Sequence, residues 1–326
     1  MTTPTKTVGA ARRLVRRAPQ ERTADRGRAA PAGHAARHGR LTPWLFLAVA
    51  LLSEGIFTVF PFLNTIVLAF TDATRLKGGA FVGLDNFTRM IHDDRFWTAL
   101  QNSVLYMVIV VPCMVFLPLL LAMLVHTRLP GAGFFRTAYY IPVVSSTVAV
   151  GIMWSWMLDS QGLVNQTLKA LGVITEPVPF LTERWLLMGS AMFVTIWTGL
   201  GWYMVIYLAA LTNVSKDLYD AAAMDGAGWW RRFVSVTIPG VRNTMVLIAA
   251  LSSVAAFRVF TEIYVLSGNT AGPGGSAMTI IMLIQRVGTG LDAEVGYASA
   301  LSLVVFVITI GLMVAVLRMQ TRENEK

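Results

Sequence analysis

The sequence predicts an all-α membrane protein with six transmembrane helices, and three observations carry that prediction. Apolar residues make up 55% of the chain and mean hydropathy is +0.59, too high for an ordinary soluble domain. Charged residues are only 14% and gather outside the apolar runs. Six of those runs reach the roughly 20 residues that a helix needs to cross a hydrocarbon core. In lipid every backbone polar group must be paired within the segment, so runs of this kind are read as helices.

In chain order the runs are 43–70, 102–125, 138–158, 185–211, 244–266 and 295–317. The second, third, fourth and sixth contain no Asp, Glu, Lys or Arg. The first carries Glu54, whose plainest explanation is a partner at a helix crossing. The third begins with Pro142, which frees backbone carbonyls, and Ser145, Ser146 and Thr147 follow it. Small hydroxyl residues at that depth bond either a neighbouring helix or a polar solute, and helix packing is the commoner case. The fourth holds Thr195, Trp197, Thr198, Gly199, Gly201, Trp202 and Tyr203. Aromatic rings beside hydroxyls suit a sugar, which offers apolar ring faces and hydroxyls together. Trp and Tyr also form interface belts; that explanation serves Trp185 better than Trp197. In the fifth run Arg258 and Glu262 are four residues apart, so a continuous helix would put them on one face. The pair then reads as a self-compensating salt bridge, slightly ahead of direct ligand contact.

Basic residues set the orientation. The first 42 residues hold ten Lys or Arg against Glu21 and Asp25. Arg128 and Arg136, then Lys216, Arg231, Arg232 and Arg242, and finally Arg318, Arg322 and Lys326 fall on the same side in a six-span arrangement. The positive-inside rule places that side, and both termini, in the cytoplasm of a multi-pass protein. The loop 71–101 carries four basic and four acidic residues and argues neither way. Residues 1–42 form a basic tail too long for a signal peptide and too polar to bury a core. Residues 43–319 are then the membrane domain, 212–242 a cytoplasmic loop within it, and 320–326 a short tail.

Several function classes are excluded. The tail's basic residues are not interleaved with aromatics, and a membrane-proximal arm explains the net charge of +9 better than nucleic-acid binding. Cys113 is the single cysteine, so no intrachain disulfide forms. His34, His38, His92 and His126 stand at spacings no metal site uses. No phosphate-binding glycine loop and no nucleophile–base pattern is present, so no catalytic residue and no metal ligand is assigned. ATP hydrolysis, if it drives this protein, belongs to another chain.

The most informative loop segment is Asp220-Ala221-Ala222-Ala223-Met224-Asp225-Gly226-Ala227, followed by Ile238-Pro239. Ser215 is a candidate N-cap and Asp217 favours a helix N-terminus. Leu218, Ala221, Ala222 and Asp225 recur at helical spacing, and the alanines leave a shallow face that another protein can approach closely. Gly226 suits a helix stop. Trp229, Trp230, Phe233 and Val236 make a second apolar stripe flanked by Arg231 and Arg232, which Pro239 is expected to end. Without further context this describes a surface hairpin as well as a docking element.

The order D-A-A-x-x-D-G-A before a distal proline closely resembles the "EAA" loop of ABC importer permeases, with Asp220 for the usual Glu and Ile238 for the usual Leu. Four further blocks resemble the carbohydrate-type branch of that family, in order along residues 43–317. They are Gly83-Leu84-Asp85-Asn86-Phe87; Phe135-Arg136-Thr137 with Ile141-Pro142; Glu262–Gly268 with Gly272-Pro273-Gly274; and Gly296-Tyr297-Ala298-Ser299-Ala300. The resemblance implies the type I importer permease fold in a bacterial cytoplasmic (inner) membrane. It implies a heterodimer with a second permease, two ATP-binding subunits that hold ATP and Mg, an extracellular solute-binding protein and a sugar substrate. Asp220, Ala221, Ala222, Asp225, Gly226, Ala227 and Pro239 would couple to the ATPase. By register, Val143, Thr147, Thr195, Gly199, Ala255, Ala256 and Val259 would line the substrate path, with Trp197, Arg258 and Glu262 as further candidates.

Two other classes compete. An ion-coupled secondary transporter would need a deep acid and an internal repeat; Glu54 is the one deep candidate and no repeat is visible. A structural anchor for a peripheral complex would explain the loop but not the polar, aromatic fourth span.

Overall fold

A computed structural model describes residues 42–126 and 132–324. Residues 1–41, within the tail whose disorder and cytoplasmic position the sequence predicts, lie outside the described residues; of the expected C-terminal tail, residues 320–324 continue the last helix, Val295–Asn324. The chain divides into two units, 1–55 and 56–326. In the first, the described element is helix α1 (Thr42–Glu54), where Glu54 is exposed. The second contains all of the remaining helices.

Among the described residues five helical stretches are long and apolar enough to cross a membrane: Leu47–Leu68, Asp94–Val125, Arg184–Leu211, Trp229–Phe257 and Val295–Arg318. A sixth crossing is broken. Gly133–Val144 and Thr147–Ala170 meet at an angle of 99°. The third predicted run is therefore two helices, α5 (Ala132–Val144) and α6 (Thr147–Leu158), with Pro142 inside the first and the break at Ser145–Ser146. Proline removes one ladder bond and crowds the preceding turn. Ser145 Oγ then bonds back to the Ile141 carbonyl at 3.1 Å.

The second unit is built around α4 (Asp94–His126), which packs along α8 (Arg184–Leu211) and α11 (Ile238–Phe257); α11 packs in turn on α14 (Val295–Asn324). Tyr106, Leu119, Met204, Tyr207 and Ile248 are fully buried in this core. Close backbone approach needs glycine: a Cβ on Gly201 of α8 would collide with the Tyr139 carbonyl oxygen of α5. The remaining helices are shorter: α2 (Phe60–Leu68), α3 (Asp85–Ile91), α7 (Leu163–Ala170), α9 (Lys216–Met224), α10 (Trp229–Arg232), α12 (Thr261–Leu266) and α13 (Ile280–Gly288).

Two sequence expectations are corrected in the fifth crossing. Pro239 does not stop the run that begins at Trp229. It sits in the first turn of α11, preceded by a wide π-helical turn, Phe233–Thr237. In the first turn the missing N–H is one that a helix leaves unpaired anyway, so the helix passes through. The crossing thus starts at Trp229 rather than at residue 244, and α11 ends at Phe257 rather than continuing to 266. Arg258 caps it with φ −96° and ψ 18°, Phe260 has φ −142°, and α12 begins at Thr261. Arg258 and Glu262 consequently do not share a helix face, and among the described residues they form no ion pair.

Helix α13 was not expected, because its apolar run is too short to cross a membrane. It packs on α14 and α4, with Ile280, Met282 and Leu283 buried.

Candidate functional site

The two ends of the second unit are built differently. At one end lies the segment 212–228, here called the loop end. Ser215 Oγ accepts a bond from Asp217 N–H at 3.2 Å and starts α9. The stop is a Schellman motif: Ala227 N–H bonds Ala222 O at 2.9 Å and Gly226 N–H bonds Ala223 O at 3.0 Å. Gly226 has φ +73°, a conformation that side chains with a Cβ adopt only under strain. Asp220, Ala221, Asp225 and Gly226 are exposed, Ala222 and Ala227 are half-buried, and Leu218 and Met224 are 54% and 84% exposed. An apolar surface of this kind without internal contacts is available to another chain. The helix is fixed at its base by the Tyr219 hydroxyl, 3.0 Å from that of buried Thr237. A Cβ on Gly240 would lie 2.8 Å from a methyl of Val214, so glycine there gives Val214 its room. Trp229 stacks on buried Phe233 at 5.5 Å with an interplanar angle of 2°.

At the opposite, far end the connecting segments are tied to one another. Asn86 Nδ2 donates to the carbonyls of Ala69 and Thr71 at 2.9 and 2.8 Å. Gly296 N–H bonds Ala73 O at 2.8 Å, and a Cβ there would strike the Thr71 carbonyl oxygen. Arg89 pairs with Glu294 and lies 4.3 Å over the Tyr297 ring. The Tyr297 hydroxyl donates to Asp93 Oδ2 at 3.0 Å, and Arg95 Nη2 lies 3.0 Å from the same oxygen. Burial pushes the Asp93 carboxyl up, but the bonds from Arg95 and Tyr297 more than offset it and hold the group below the ordinary carboxylate value. Deeper, fully buried Asn102 donates to the carbonyls of Ser276 and Met278 at 2.9 and 2.8 Å and accepts from Arg184 Nη2 at 2.8 Å. Ser103 Oγ accepts from Ile280 N–H at 3.0 Å, and Thr279 Oγ1 donates to Val259 O at 2.8 Å. Sequence reasoning missed this second network. Its signal, an Asn-Ser pair at the mouth of the second run, does not name its backbone partners.

Between the ends lies a cavity of about 230 Å³ at the α5–α6 break. Val143, Thr147, Thr195, Gly199 and Ala255, five of the residues expected in a substrate path, line it together. Pro142, Ser145, Thr198, Trp202, Tyr203 and Met114 complete it. Ser145, Thr147, Trp202 and Ala255 are exposed, so one side is open. The Thr195 hydroxyl is 2.6 Å from that of Tyr106. Glu262 faces the same pair from behind the wall.

The other expected residues fall elsewhere. Ala256 and Val259 are 2% and 5% exposed and face the core rather than the cavity. Val259 lies beyond the end of α11 at Phe257, where a straight-helix register no longer holds, and Ala256 lies within α11 on its core side. Trp197 is half-buried against Trp154 at 5.6 Å, in an aromatic cluster that includes Phe193. Arg258 is exposed and lines two other depressions, one against α2, α13 and α14 and one between α11 and α14.

Helices long and apolar enough to cross a membrane, one pair of them broken at a cavity, suit an α-helical transport protein. The comparisons agree. The model of the binding-protein-dependent transport system inner membrane component matches residues 79–322, and the chain belongs to that family. The lactose transport system permease protein LacF of Rhizobium radiobacter is 34% identical over 86% of this chain and 93% of its own length. The arabinooligosaccharides transport system permease protein AraP of Bacillus subtilis is 30% identical over 82% and 85%. A bacterial ABC transporter involved in the import of the acidic polysaccharide alginate has the same fold, with a TM-score of 0.74 over 86% of this chain and 96% of its own at 23% identity.

Proposed function

We propose that this chain is one permease subunit of an ATP-driven importer for a sugar or oligosaccharide, supplying half of the translocation path. The observation that carries the reading is the one-sided cavity. At about 230 Å³ it falls below the ~300–1,000 Å³ usual for a ligand site, and exposed residues form its rim. A half-site that a second subunit completes has these properties. Thr147, Thr195 and Thr198 bring hydroxyls, and Trp202 brings an aromatic face, the pair of groups a sugar ring uses. The transport names of the relatives, for lactose and arabino-oligosaccharides, support the same substrate class. Membership of a binding-protein-dependent family leaves an ion-coupled secondary transporter without support.

The loop 212–242 is the ATPase-coupling element in this reading, with Asp220, Ala221, Ala222, Asp225, Gly226 and Ala227 at the contact. Pro239 serves the passage of the loop into α11. Two ATP-binding subunits hold ATP and Mg, and an extracellular solute-binding protein delivers the sugar. In this reading both termini and the loop lie on the cytoplasmic side of a bacterial inner membrane, which their basic residues favour. Nucleotide-driven movement of α9 reaches α11 through the Tyr219–Thr237 contact and the continuous helix Trp229–Phe257. Breaks at Ser145–Ser146 and Arg258–Phe260 let the far halves of two crossings move separately from the near halves. The cavity then opens to one side at a time.

The test is Gly226→Val. The variant should insert and reach the membrane in normal amount, while the ATPase no longer co-purifies and sugar-stimulated hydrolysis and uptake fall together. Asp220→Glu should retain all three. Normal uptake by Gly226→Val would reduce the segment to a surface hairpin.

A further inference from the structure

Arg258 stands at the far end of α11 with its guanidinium exposed. Among the described residues it makes no ion pair, and Glu262, the nearest acid in sequence, is turned to Tyr106 and Thr195 by the helix break. Towards α2, α13 and α14 it lines a depression with the hydroxyl residues Thr65, Ser302 and Thr309, but towards the α11–α14 side its neighbours are apolar. Between α11 and α14 runs a groove of about 620 Å³ walled by Leu247, Leu251 and Val254 on one side and Met313 and Leu317 on the other, with Arg258 at its end. Residues 247, 251, 254 and 258 follow helical spacing and form one stripe. Such a groove does not suit a sugar, which needs hydroxyl partners along its length. It suits an apolar helix, and helices in lipid associate by packing of this sort.

The guanidinium decides between a helix and lipid. A cation at membrane depth is costly unless it faces water or a partner, and an acyl chain offers neither charge nor hydrogen bonds. A carboxylate meets the planar guanidinium fork with two bonds. We propose that the α11–α14 groove receives a transmembrane helix of the paired permease, and that this helix brings an Asp or Glu to Arg258. The proposal rests on the reading of this chain as one of two permeases. Ala255 belongs to the wall of both the groove and the cavity. A helix seated in the groove would therefore lie beside the open side of the cavity and help to close the half-site.

The test uses the whole transporter, purified with its second permease. A photo-crosslinking residue at Leu251 should yield an adduct that peptide mapping assigns to a transmembrane helix of the second permease containing an acidic residue. Arg258→Glu should lower recovery of that subunit on this chain's affinity tag by about tenfold or more, and Arg258→Lys much less. Exchange of the mapped acid for Lys should restore recovery with Arg258→Glu. If Arg258→Glu is poorly inserted, the crosslink in the otherwise native chain still decides. An adduct with lipid, with this chain itself, or with a helix lacking an acid overturns the proposal. So does full recovery of the partner with Arg258→Glu; uptake lost under that condition would return Arg258 to the substrate path. A native chain that co-purifies with no second permease overturns the paired-permease reading itself, and this proposal with it.

Discussion

The far end and the loop end of the second unit carry the same kinds of residue, acids, glycines, small side chains and aromatics, and use them in opposite ways. At the far end a set of polar groups finds partners inside the chain. Asn86, Asn102, Ser103 and Thr279 each bond a named backbone group, and Arg89, Asp93, Glu294 and Tyr297 form one connected cluster. At the loop end Asp220 and Asp225 point to solvent, and Leu218, Met224 and Trp230 are exposed. Motifs satisfied within the fold explain the fold. A motif that buries little of itself, yet ends in a fully formed Schellman stop, is the one proposed above to contact another chain.

The sharpest way to break that comparison is one substitution at two glycines. Gly296→Ala places a methyl against the Thr71 carbonyl oxygen, a backbone atom that cannot step aside. The loss should lie at the upper end of the ~1–3 kcal/mol typical of overpacking, because the struck atom is backbone. Gly226→Ala meets nothing within 4 Å and bears only the strain of φ +73°. That strain is about 1–2 kcal/mol. In thermal unfolding of the detergent-solubilised protein, the first variant should lose most of its folded fraction and the second should shift modestly. Equal shifts would mean that the loop end is as integral to the fold as the far end.

Polar side chains give the next largest contrast. Asn102→Leu strands the carbonyls of Ser276 and Met278 and leaves Arg184 without its acceptor; each of these three groups left unsatisfied where it is buried costs about 1–3 kcal/mol. Asp220→Ala removes an exposed carboxylate and should change stability by no more than about 0.5 kcal/mol. Its effect should appear in ATPase co-purification instead. Unchanged stability in Asn102→Leu would show that water replaces the lost partners.

The sequence made the crossings legible because hydropathy needs only composition over a long window. The stop at Gly226 was legible for the same reason that it works: only glycine takes that turn cheaply, and its neighbours are helical. The cavity was half legible. Pro142 marked a weak point in the third crossing, but a single proline does not state a 99° bend, which depends on what α6 packs against. Gly151 of α6 shows the dependence, since a Cβ there would press on Val265 of α12 at 2.9 Å. The break after Phe257 had no sequence signal: Arg258-Val259-Phe260 contains neither proline nor glycine. Val259 faces the core in consequence and Arg258 and Glu262 do not pair, whereas Ala256 lies ahead of the break and turns from the cavity beside its neighbour Ala255. Pro239 misled in the other direction, because proline breaks a helix interior yet begins one readily.

The smallest effect expected concerns pH and belongs wholly to the far end. Asp93 is held below the ordinary carboxylate range by Arg95 and Tyr297 despite its burial. A group with a depressed folded pKa stabilises the protein above its unfolded value, near 3.9 for Asp, and loses that contribution as pH falls through the folded value. Between pH 5 and 8 the native protein should therefore be more stable than Asp93→Asn by a constant margin. Below about pH 4 the margin should shrink as the native carboxyl takes up its proton. A margin for Asp93→Asn that persists undiminished well below pH 4 would mean that hydrogen-bond geometry, rather than the charge, holds the cluster together. The far end would then resist acid as well as it resists heat.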